Sequence, residues 1–221
     1  MREVVLDTET TGLNPRQGDR IVEIGCIELI DGIPSGQHFH TYLNPERDMP
    51  PGAFAVHGLS SDFLADKPLF AAVADEFLAF VGEAKLIIHN APFDIGFLNA
   101  ELERLGRAGL TLDQAIDTVL LARQAFPGAQ ANLDALCKRF GIDLTNRTLH
   151  GALKDADLLA RVYLELTGGR QAGLDLGGTV TTQAVAAERT VRPARPHAPT
   201  ASEVEAHALF LAKISSPIWS A

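Results

Sequence analysis

The sequence predicts an α/β fold in which a mixed sheet is flanked by helices. Two observations predict it: short β-rich runs come first along the chain, and segments with helical periodicity then alternate with a further apolar run. A strand meander followed by alternating helices and strands is typical of a mixed sheet with helical layers. The 221 residues, 46% of them hydrophobic, suffice for one sizeable domain with additional segments or for two small domains.

The strands are predicted from apolar and β-rich runs. Residues 4–6 form the first run, residues 20–30 the second and residues 37–43 the third, and residues 86–88 form another short buried run. An Asp-Gly pair at residues 31–32 separates the second run from the third, and such a pair is a strong hairpin signal. The first three strands are therefore predicted to form a meander.

Helices are predicted where apolar residues recur at helical spacing. One helix begins after Asn90, with Pro92 near its first turn and Gly106 at its end. Proline at the start and glycine at the end is the asymmetry expected of helix boundaries. The other predicted helices cover residues 69–81, 118–125, 133–140 and 151–166.

Three regions are predicted along the chain. Residues 1–169 read as one α/β domain, because the last predicted helix stops at a Gly-Gly pair. Residues 170–200 are rich in Gly, Thr, Ala and Pro, which favours a flexible linker. Residues 201–221 form a tail in which Ser202 and Glu205 have the capping-box spacing of a helix start.

The net charge is −9 at pH 7. A stand-alone nucleic-acid binder is usually basic, because neutralising phosphates supplies most of its affinity. The chain therefore either binds no nucleic acid or depends on metal ions and a partner for positive charge. No apolar run approaches the roughly 20 residues that span a bilayer, and no signal-peptide pattern is present, so a cytoplasmic location is expected. Cys26 and Cys137 lie within apolar patterns and are predicted to be buried free thiols.

Two acids stand at the end of the first strand. Asp7 and Glu9 are two residues apart, so strand alternation places both side chains on one face. Two carboxylates this close raise each other's pKa unless a cation lies between them. Taken alone, the polar sequence around them fits a solvated strand end or a turn equally well.

Two further acids lie where hydrophobic side chains are expected. Asp94 is in register with the apolar stripe of the helix after Asn90, and Asp155 is in register with that of the helix at 151–166. Asp94 also fits an ordinary helix-start acid. Burying a carboxylate on a core-facing stripe costs folding free energy unless the group is paired or binds a metal. Residues that depart from the expected hydrophobic pattern in this way are often functional.

Four carboxylates of this kind suit hard divalent cations such as Mg²⁺ or Mn²⁺. Two such ions about 3.5–4 Å apart clamp the attacking and leaving oxygens of a phosphodiester. His150 lies five residues before Asp155, where a neutral imidazole can accept a proton from an attacking water. A capping or solvent-exposed histidine is the alternative reading of His150.

Three segments resemble the exonuclease motifs of the DEDD superfamily: residues 5–12 (VLDTETTG), 89–94 (HNAPFD) and 149–155 (LHGALKD). The position four before Asp155 is Gly151 rather than tyrosine, and His150 stands five before, as in the histidine branch. Within that branch the chain is most similar to the epsilon, or proofreading, subunits of bacterial DNA polymerase III, through residues 22–25, 55–58, 66–68, 133–137 and 163–169.

This resemblance implies a ribonuclease-H-like fold with a central five-stranded mixed sheet and a 3′→5′ exonuclease that removes mispaired terminal nucleotides. It implies two divalent cations, Mg²⁺ or Mn²⁺, on Asp7, Glu9, Asp94 and Asp155, with His150 as the general base. The DNA 3′ end would lie against Asp7, Glu9, Asp155, His57, Thr10, Leu13 and Asn90. One departure is Gly52, where the family often has an acid facing the nucleotide.

The tail carries two further expectations. Gln171, Leu174 and Leu176 resemble short peptides that dock on the bacterial sliding clamp, a polar anchor with two leucines for an apolar groove. An ordinary linker start is the alternative, because six-residue patterns arise by chance.

Residues 201–221 are too few to form a core of their own, yet they carry Phe210, Ile218 and Trp219. Apolar residues beyond a linker suggest a partner-binding peptide, and by resemblance the partner is the polymerase (alpha) subunit. A tail that folds back on its own domain is the alternative. A polymerase and clamp that hold the duplex would answer the charge objection.

Two other functions are also compatible with the sequence. An RNA exonuclease of the same branch shares these motifs, since they read metals and phosphate rather than the 2′-hydroxyl. A non-catalytic adaptor between clamp and polymerase would use only the tail, and the filled catalytic positions argue against it as the sole role.

Overall fold

A computed structural model describes residues 1–145, 149–168 and 198–215 of the chain. Its centre is a five-stranded sheet in the order β3-β2-β1-β4-β5. β1 pairs with β2 antiparallel and with β4 parallel, so the predicted mixed sheet is confirmed. The strands are β1 (Arg2–Thr10), β2 (Ile21–Ile30), β3 (Ile33–Tyr42), β4 (Lys85–Ile88) and β5 (Ala115–Asp117).

The first three strands form the predicted meander. β2 and β3 are joined at Asp31 and Gly32, whose φ angles are +52° and +77°. Positive φ at both central residues is the requirement of the hairpin turn that Asp-Gly favours. β1 extends well beyond the apolar run at residues 4–6, because the polar residues that follow continue the pairing with β2 as far as Thr10.

Helices flank the sheet: α1 (Pro51–His57), α2 (Ser61–Leu64), α3 (Phe70–Val81), α4 (Ala91–Arg104), α5 (Thr118–Ala125), α6 (Leu133–Phe140), α7 (Ala152–Leu166) and α8 (Ala201–Leu211). The five helices predicted within the first domain end within about two residues of their predicted bounds, which is the usual uncertainty of a helix end. α1, α2 and β5 were not predicted, because each is too short to show a period.

The core lies on both faces of the sheet. Val4 and Leu6 of β1 point to one face and pack with α3 and α4. Val5 points to the other face and packs with α5, α6 and α7. This alternation places Asp7 and Glu9 on the α7 face and Thr8 on the α4 face. Both cysteines are buried free thiols, as predicted.

The chain divides into two compact units, residues 1–174 and 175–221. In the second unit the described residues include α8, whose side chains are almost all exposed. The predicted cap at Ser202 and Glu205 is wrong: Thr200 and Glu203 form the capping box. Both pairs have the same spacing, but Thr200 has the extended backbone that a cap requires, whereas Ser202 already lies within the helix. No helix in the described ranges is long and apolar enough to cross a membrane.

Candidate active site

The site begins at the carboxyl end of β1. Asp7 lies opposite Gly25 and Glu9 lies opposite Glu23 of β2, so these four residues share one face of the sheet. Glu9 and Glu23 are buried, and Asp7 is half-buried. Glu23 is paired with His40 of β3, whose Nε2 lies 2.7 Å from Glu23 Oε1. Asp7 and Glu9 therefore lie within the sheet, on one of its faces, rather than in a solvated turn.

Asp94 reaches the same end of β1 from the other face. α4 starts directly after β4 through Asn90, whose φ of +71° turns the chain into the helix. Asp94 is only 3% exposed. Its Oδ1 accepts hydrogen bonds from both the backbone N–H (3.0 Å) and the hydroxyl (2.7 Å) of Thr8. Burial raises the pKa of Asp94 to about 7, although the Thr8 hydrogen bonds act in the opposite direction.

Asp155 and His150 come from the start of α7. Asp155 lies in the first turn and is 3% exposed, as the misplaced acid of the apolar stripe predicted. His150 Nδ1 lies 3.1 Å from Asp155 Oδ2. The backbone N–H of His150 donates to the carbonyl of Val56 in α1 (3.2 Å). The histidine is thus fixed at its backbone by α1 and at its ring by the acid five residues later.

Three of these groups form a tight cluster. A donor atom from each of Glu9, His150 and Asp155 lies within 4.8 Å of the others. Burial raises the pKa of Asp7 well above its usual range, and Asp94, Glu9 and Asp155 raise it further. A cleft of about 270 Å³ opens onto the cluster, lined by Asp7, His89, Asn132, Leu133, Asp134, His150 and Asp155.

The donor set is mainly carboxylate oxygen, which suits hard divalent cations rather than zinc or copper. Burial first, and then the charges of the neighbouring acids, oppose the ionised form of Asp7 and raise its pKa. A divalent cation between them would remove that repulsion. The residues that are present therefore fit a site for hard divalent cations.

His57 ends α1 and is 5% exposed. Its Nδ1 accepts a hydrogen bond from the backbone N–H of Leu59 (3.0 Å). Its Nε2 is buried and has no hydrogen-bond partner within the described part of the chain. Burial lowers the pKa of His57, and the backbone of Thr10 and the Glu23 carboxylate partly offset this effect. The charge of His150 also lowers the pKa of His57, so the two histidines lie near each other.

The other residues that were predicted to contact the nucleotide differ in burial and in hydrogen bonding. Thr10 is buried, and its hydroxyl donates to the carbonyl of Gly12 (2.6 Å). Leu13 is 85% exposed. Asn90 is exposed, and its backbone N–H donates to Asp117 Oδ1 (3.2 Å). Gly52 lies in α1 with open space around it.

The predicted tail contacts are only partly described. Phe210 lies in α8 and is 60% exposed. Gln171, Leu174, Leu176, Ile218 and Trp219 lie outside the described residues.

Three features of the site were not predicted. Thr8 holds Asp94 from within the first motif. Gly25 lies directly against the backbone at the start of α7. His89 lines the cleft, and its Nδ1 lies 2.8 Å from the hydroxyl of Thr118. Thr8, Gly25 and His89 all lie inside sequence segments that resemble the family, which was the available signal.

Comparison with known proteins gives the chain's relatives. The exonuclease family model matches residues 4–163. A DNA polymerase III subunit epsilon of Rickettsia felis is 54% identical over 222 residues, which cover 97% of this chain and 97% of that protein. The DNA polymerase III subunit epsilon of Escherichia coli is 49% identical over 176 residues, which cover 76% of this chain and 72% of that protein.

Solved structures agree with the fold. Exonuclease X in complex with 5′ overhanging duplex DNA has a TM-score of 0.59 and 28% identity, over 74% of this chain and 90% of that chain. The nuclease domain of 3′hExo, a DEDDh family member bound to rAMP, has a TM-score of 0.65 at 18% identity, over 75% and 90% of the two chains. The predicted ribonuclease-H-like exonuclease fold is confirmed. The family model and the identities together decide the family: the chain belongs to the exonuclease family and, within it, to the epsilon subunits of DNA polymerase III.

Proposed function

We propose that the chain removes mispaired 3′-terminal nucleotides from DNA by two-metal hydrolysis, as the proofreading subunit of a replicative polymerase. Proofreading 3′→5′ exonuclease activity and dependence on divalent metal follow from the family. The number of ions, their identity and the residues that hold them are the proposed part. The observation that carries it is the close grouping of acids: donor atoms of Glu9, His150 and Asp155 lie within 4.8 Å of one another. Burial together with the charges of Asp94, Glu9 and Asp155 also raises the pKa of the neighbouring Asp7.

The four acids would share two cations, either Mg²⁺ or Mn²⁺. Asp7 lies near the other acids of the proposed set, because the charges of Asp94, Glu9 and Asp155 all raise its pKa. Bound ions would stabilise the negative charge that develops on the scissile phosphate and activate the attacking water. The chain's own contribution is to hold the carboxylates in fixed positions, which the burial of Glu9, Asp94 and Asp155 supports.

His150 would be the general base. When Nδ1 carries a hydrogen, it donates to Asp155 Oδ2 across the 3.1 Å contact, and Nε2 then holds the lone pair. That arrangement leaves Nε2 to accept a proton from the attacking water. The hydrogen bond from the His150 backbone to Val56 fixes the loop that carries the ring.

The terminal nucleotide would lie between the acids and His57. The buried Nε2 of His57 makes no hydrogen bond within the described residues, so a polar atom of the nucleotide would satisfy it. Thr10 directly follows Glu9, and Asn90 lies four residues before Asp94. The exposed Leu13 is available to pack against a base. Since Gly52 has no side chain, the contact that an acid makes there in relatives is replaced or absent.

Association with the polymerase would supply the positive charge that the chain lacks. With a net charge of −9, the chain cannot hold a duplex through a large basic field. We propose that residues 1–169 are the nuclease domain, that Gln171, Leu174 and Leu176 of the 170–200 linker bind a sliding clamp, and that residues 201–221 bind the polymerase (alpha) subunit. The 60% exposure of Phe210 on α8 supports an unpartnered apolar surface in that tail.

The test is digestion of a 5′-labelled DNA primer whose 3′ end is either paired or mispaired. With Mg²⁺ or Mn²⁺ the mispaired end should be shortened faster, and EDTA should abolish shortening of both. A matched RNA primer serves as the control for substrate. Faster digestion of RNA than of DNA would favour the RNA exonuclease instead, and digestion that persists in EDTA would contradict the metal site.

A further inference from the structure

β2 and α7 approach each other at Gly25. A Cβ atom built on Gly25 would lie 2.3 Å from the carbonyl carbon of Ala152 and 2.3 Å from the backbone nitrogen of Leu153. Carbon atoms in ordinary contact are about 3.5–4.0 Å apart. The obstructing atoms are backbone, so no change of rotamer can make room. Gly25 is not among the residues with positive φ, so the close approach rather than the backbone conformation requires glycine here.

The helix that packs against Gly25 and the segment just before it supply two of the five proposed catalytic residues. Ala152 starts α7, Asp155 lies one turn further along it, and His150 precedes it. Gly25 itself lies directly opposite Asp7 in the β1–β2 pairing. The contact between Gly25 and Ala152 therefore sets how far the groups of α7 stand from Asp7 and Glu9.

The far end of α7 is fixed independently. The hydroxyl of Tyr163 donates to Glu3 Oε1 (2.8 Å), and both side chains are buried. A side chain at position 25 would therefore move the start of α7 while its second half stays attached to β1. The start would have to move by about 1 Å or more to restore ordinary contact.

A shift of that size matters for metal binding. Mg²⁺ requires near-ideal octahedral geometry with oxygen ligands at about 2.0–2.1 Å. A misplacement of about 1 Å can cost about 100-fold in rate. We propose that Gly25 is a positioning residue for the hydrolysis: its missing side chain sets how far Asp155 on α7 and His150 just before α7 lie from the acids of β1. This inference rests on the proposed function of the same site.

The first test compares Gly25→Ala with Gly96→Ala in the full chain. Gly96 lies in α4 with nothing within 4 Å of an added Cβ and without positive φ, so it is the matched control. Mn²⁺ affinity is measured by calorimetry, and kcat and KM are measured on single-stranded DNA. Gly25→Ala should bind Mn²⁺ about tenfold more weakly and lose about 100-fold in kcat, with KM within about threefold. Gly96→Ala should match the unmodified chain in all three.

The second test is rescue. Asp155→Glu lengthens the side chain by one methylene and should lower kcat in the unmodified chain. In the Gly25→Ala background the same change should raise kcat by about fivefold or more, because the longer side chain spans the added separation. A merely structural role for Gly25 would give the same loss from Asp155→Glu in both backgrounds.

Three outcomes would overturn the inference: Mn²⁺ affinity and kcat of Gly25→Ala within about threefold of the unmodified chain, no rescue by Asp155→Glu, or a Gly25→Ala chain that circular dichroism shows to be unfolded. Failure of the proposed function is a separate result. If the unmodified chain does not digest DNA, the Mn²⁺ affinities of the Gly25→Ala and Gly96→Ala variants still decide the positioning role.

Discussion

Thr8 donates two hydrogen bonds to a single oxygen of Asp94, one from its backbone N–H (3.0 Å) and one from its hydroxyl (2.7 Å). Thr8 points to the α4 face of the sheet, whereas its neighbours Asp7 and Glu9 point to the α7 face. The strand that supplies two of the proposed metal ligands thus also fixes a third from the other face. Because Oδ1 of Asp94 accepts both bonds, Oδ2 would be the oxygen that Asp94 offers to a cation.

Replacing Thr8 with valine should loosen Asp94 without changing the shape of the site. The variant loses the hydroxyl hydrogen bond to the carboxylate, which is worth about 1.5–3 kcal/mol for a charged partner. We expect Mn²⁺ affinity and kcat to fall by about tenfold or more. Calorimetric titration and primer digestion measure the two quantities. Thr8→Ser keeps the hydroxyl and should stay close to the unmodified chain, and equal behaviour of the two variants would show that the hydroxyl is unimportant.

The metal-free protein should lose stability as pH rises. The pKa of Asp94 in the folded chain is about 7, above its ordinary value of 3.8, so between these values the folded state binds more protons than the unfolded state. The free energy of unfolding therefore falls with rising pH across this window. Mn²⁺ requires the ionised carboxylate, so the rise in Tm that it causes should be larger at about pH 8 than at about pH 5.

Asp94→Asn is the control for this pH dependence, since the amide does not titrate. Its metal-free Tm should change less between about pH 5 and pH 8 than that of the unmodified chain. Thermal melts in EDTA at a series of pH values measure the difference. Identical pH profiles for the two chains would show that Asp94 does not titrate in this window.

Replacing His150 with alanine should impair the chemical step more than metal binding. Loss of a general base costs about 10²–10⁴ in rate, whereas the four acids that would hold the ions remain. We expect kcat to fall by that amount while Mn²⁺ affinity stays within about threefold. His38→Ala, on the exposed edge strand β3, should change neither quantity. A comparable loss of Mn²⁺ affinity in His150→Ala would make this residue a metal ligand rather than the base.

Truncation after Gly169 should separate hydrolysis from assembly. All five proposed catalytic residues lie before that point, so kcat on single-stranded DNA should stay within about threefold of the full chain. Co-purification with the polymerase (alpha) subunit should be lost. Trp219→Ala and Phe210→Ala in the full chain test the proposed anchors individually, and such anchors typically cost about 2 kcal/mol or more when truncated. Co-purification of the truncated chain would contradict the proposed role of the tail.

The parts of the fold that could be predicted are those with a local signal. The bounds of α5 and α6 match the periodicity of residues 118–125 and 133–140. Asp94 and Asp155 could be identified because each is an acid on an apolar stripe, and both are 3% exposed. Burial of a charged group on such a stripe follows from the pattern alone.

The parts that could not be predicted depend on tertiary contacts. The alternation of side chains along β2 does not distinguish Gly25 from any other glycine in a strand. Its role follows only from the close approach of α7 to it. Thr8 alternates to the opposite face from Asp7, so strand alternation separates it from the acids, and only the entry of α4 brings it to Asp94. The helix cap at Thr200 was misplaced because Ser202 offers the same spacing to a glutamate.

The most direct measurement of the central claim is the Mn²⁺ stoichiometry and primer digestion of the unmodified chain beside Asp7→Ala. Burial and four neighbouring carboxylates raise the pKa of Asp7, which places it among the acids of the proposed metal site. The unmodified chain should bind two Mn²⁺ ions and shorten a mispaired 3′ end. Asp7→Ala should remain folded, bind fewer ions and retain less than about 1% of the rate. Digestion by Asp7→Ala at a rate close to that of the unmodified chain would contradict the account.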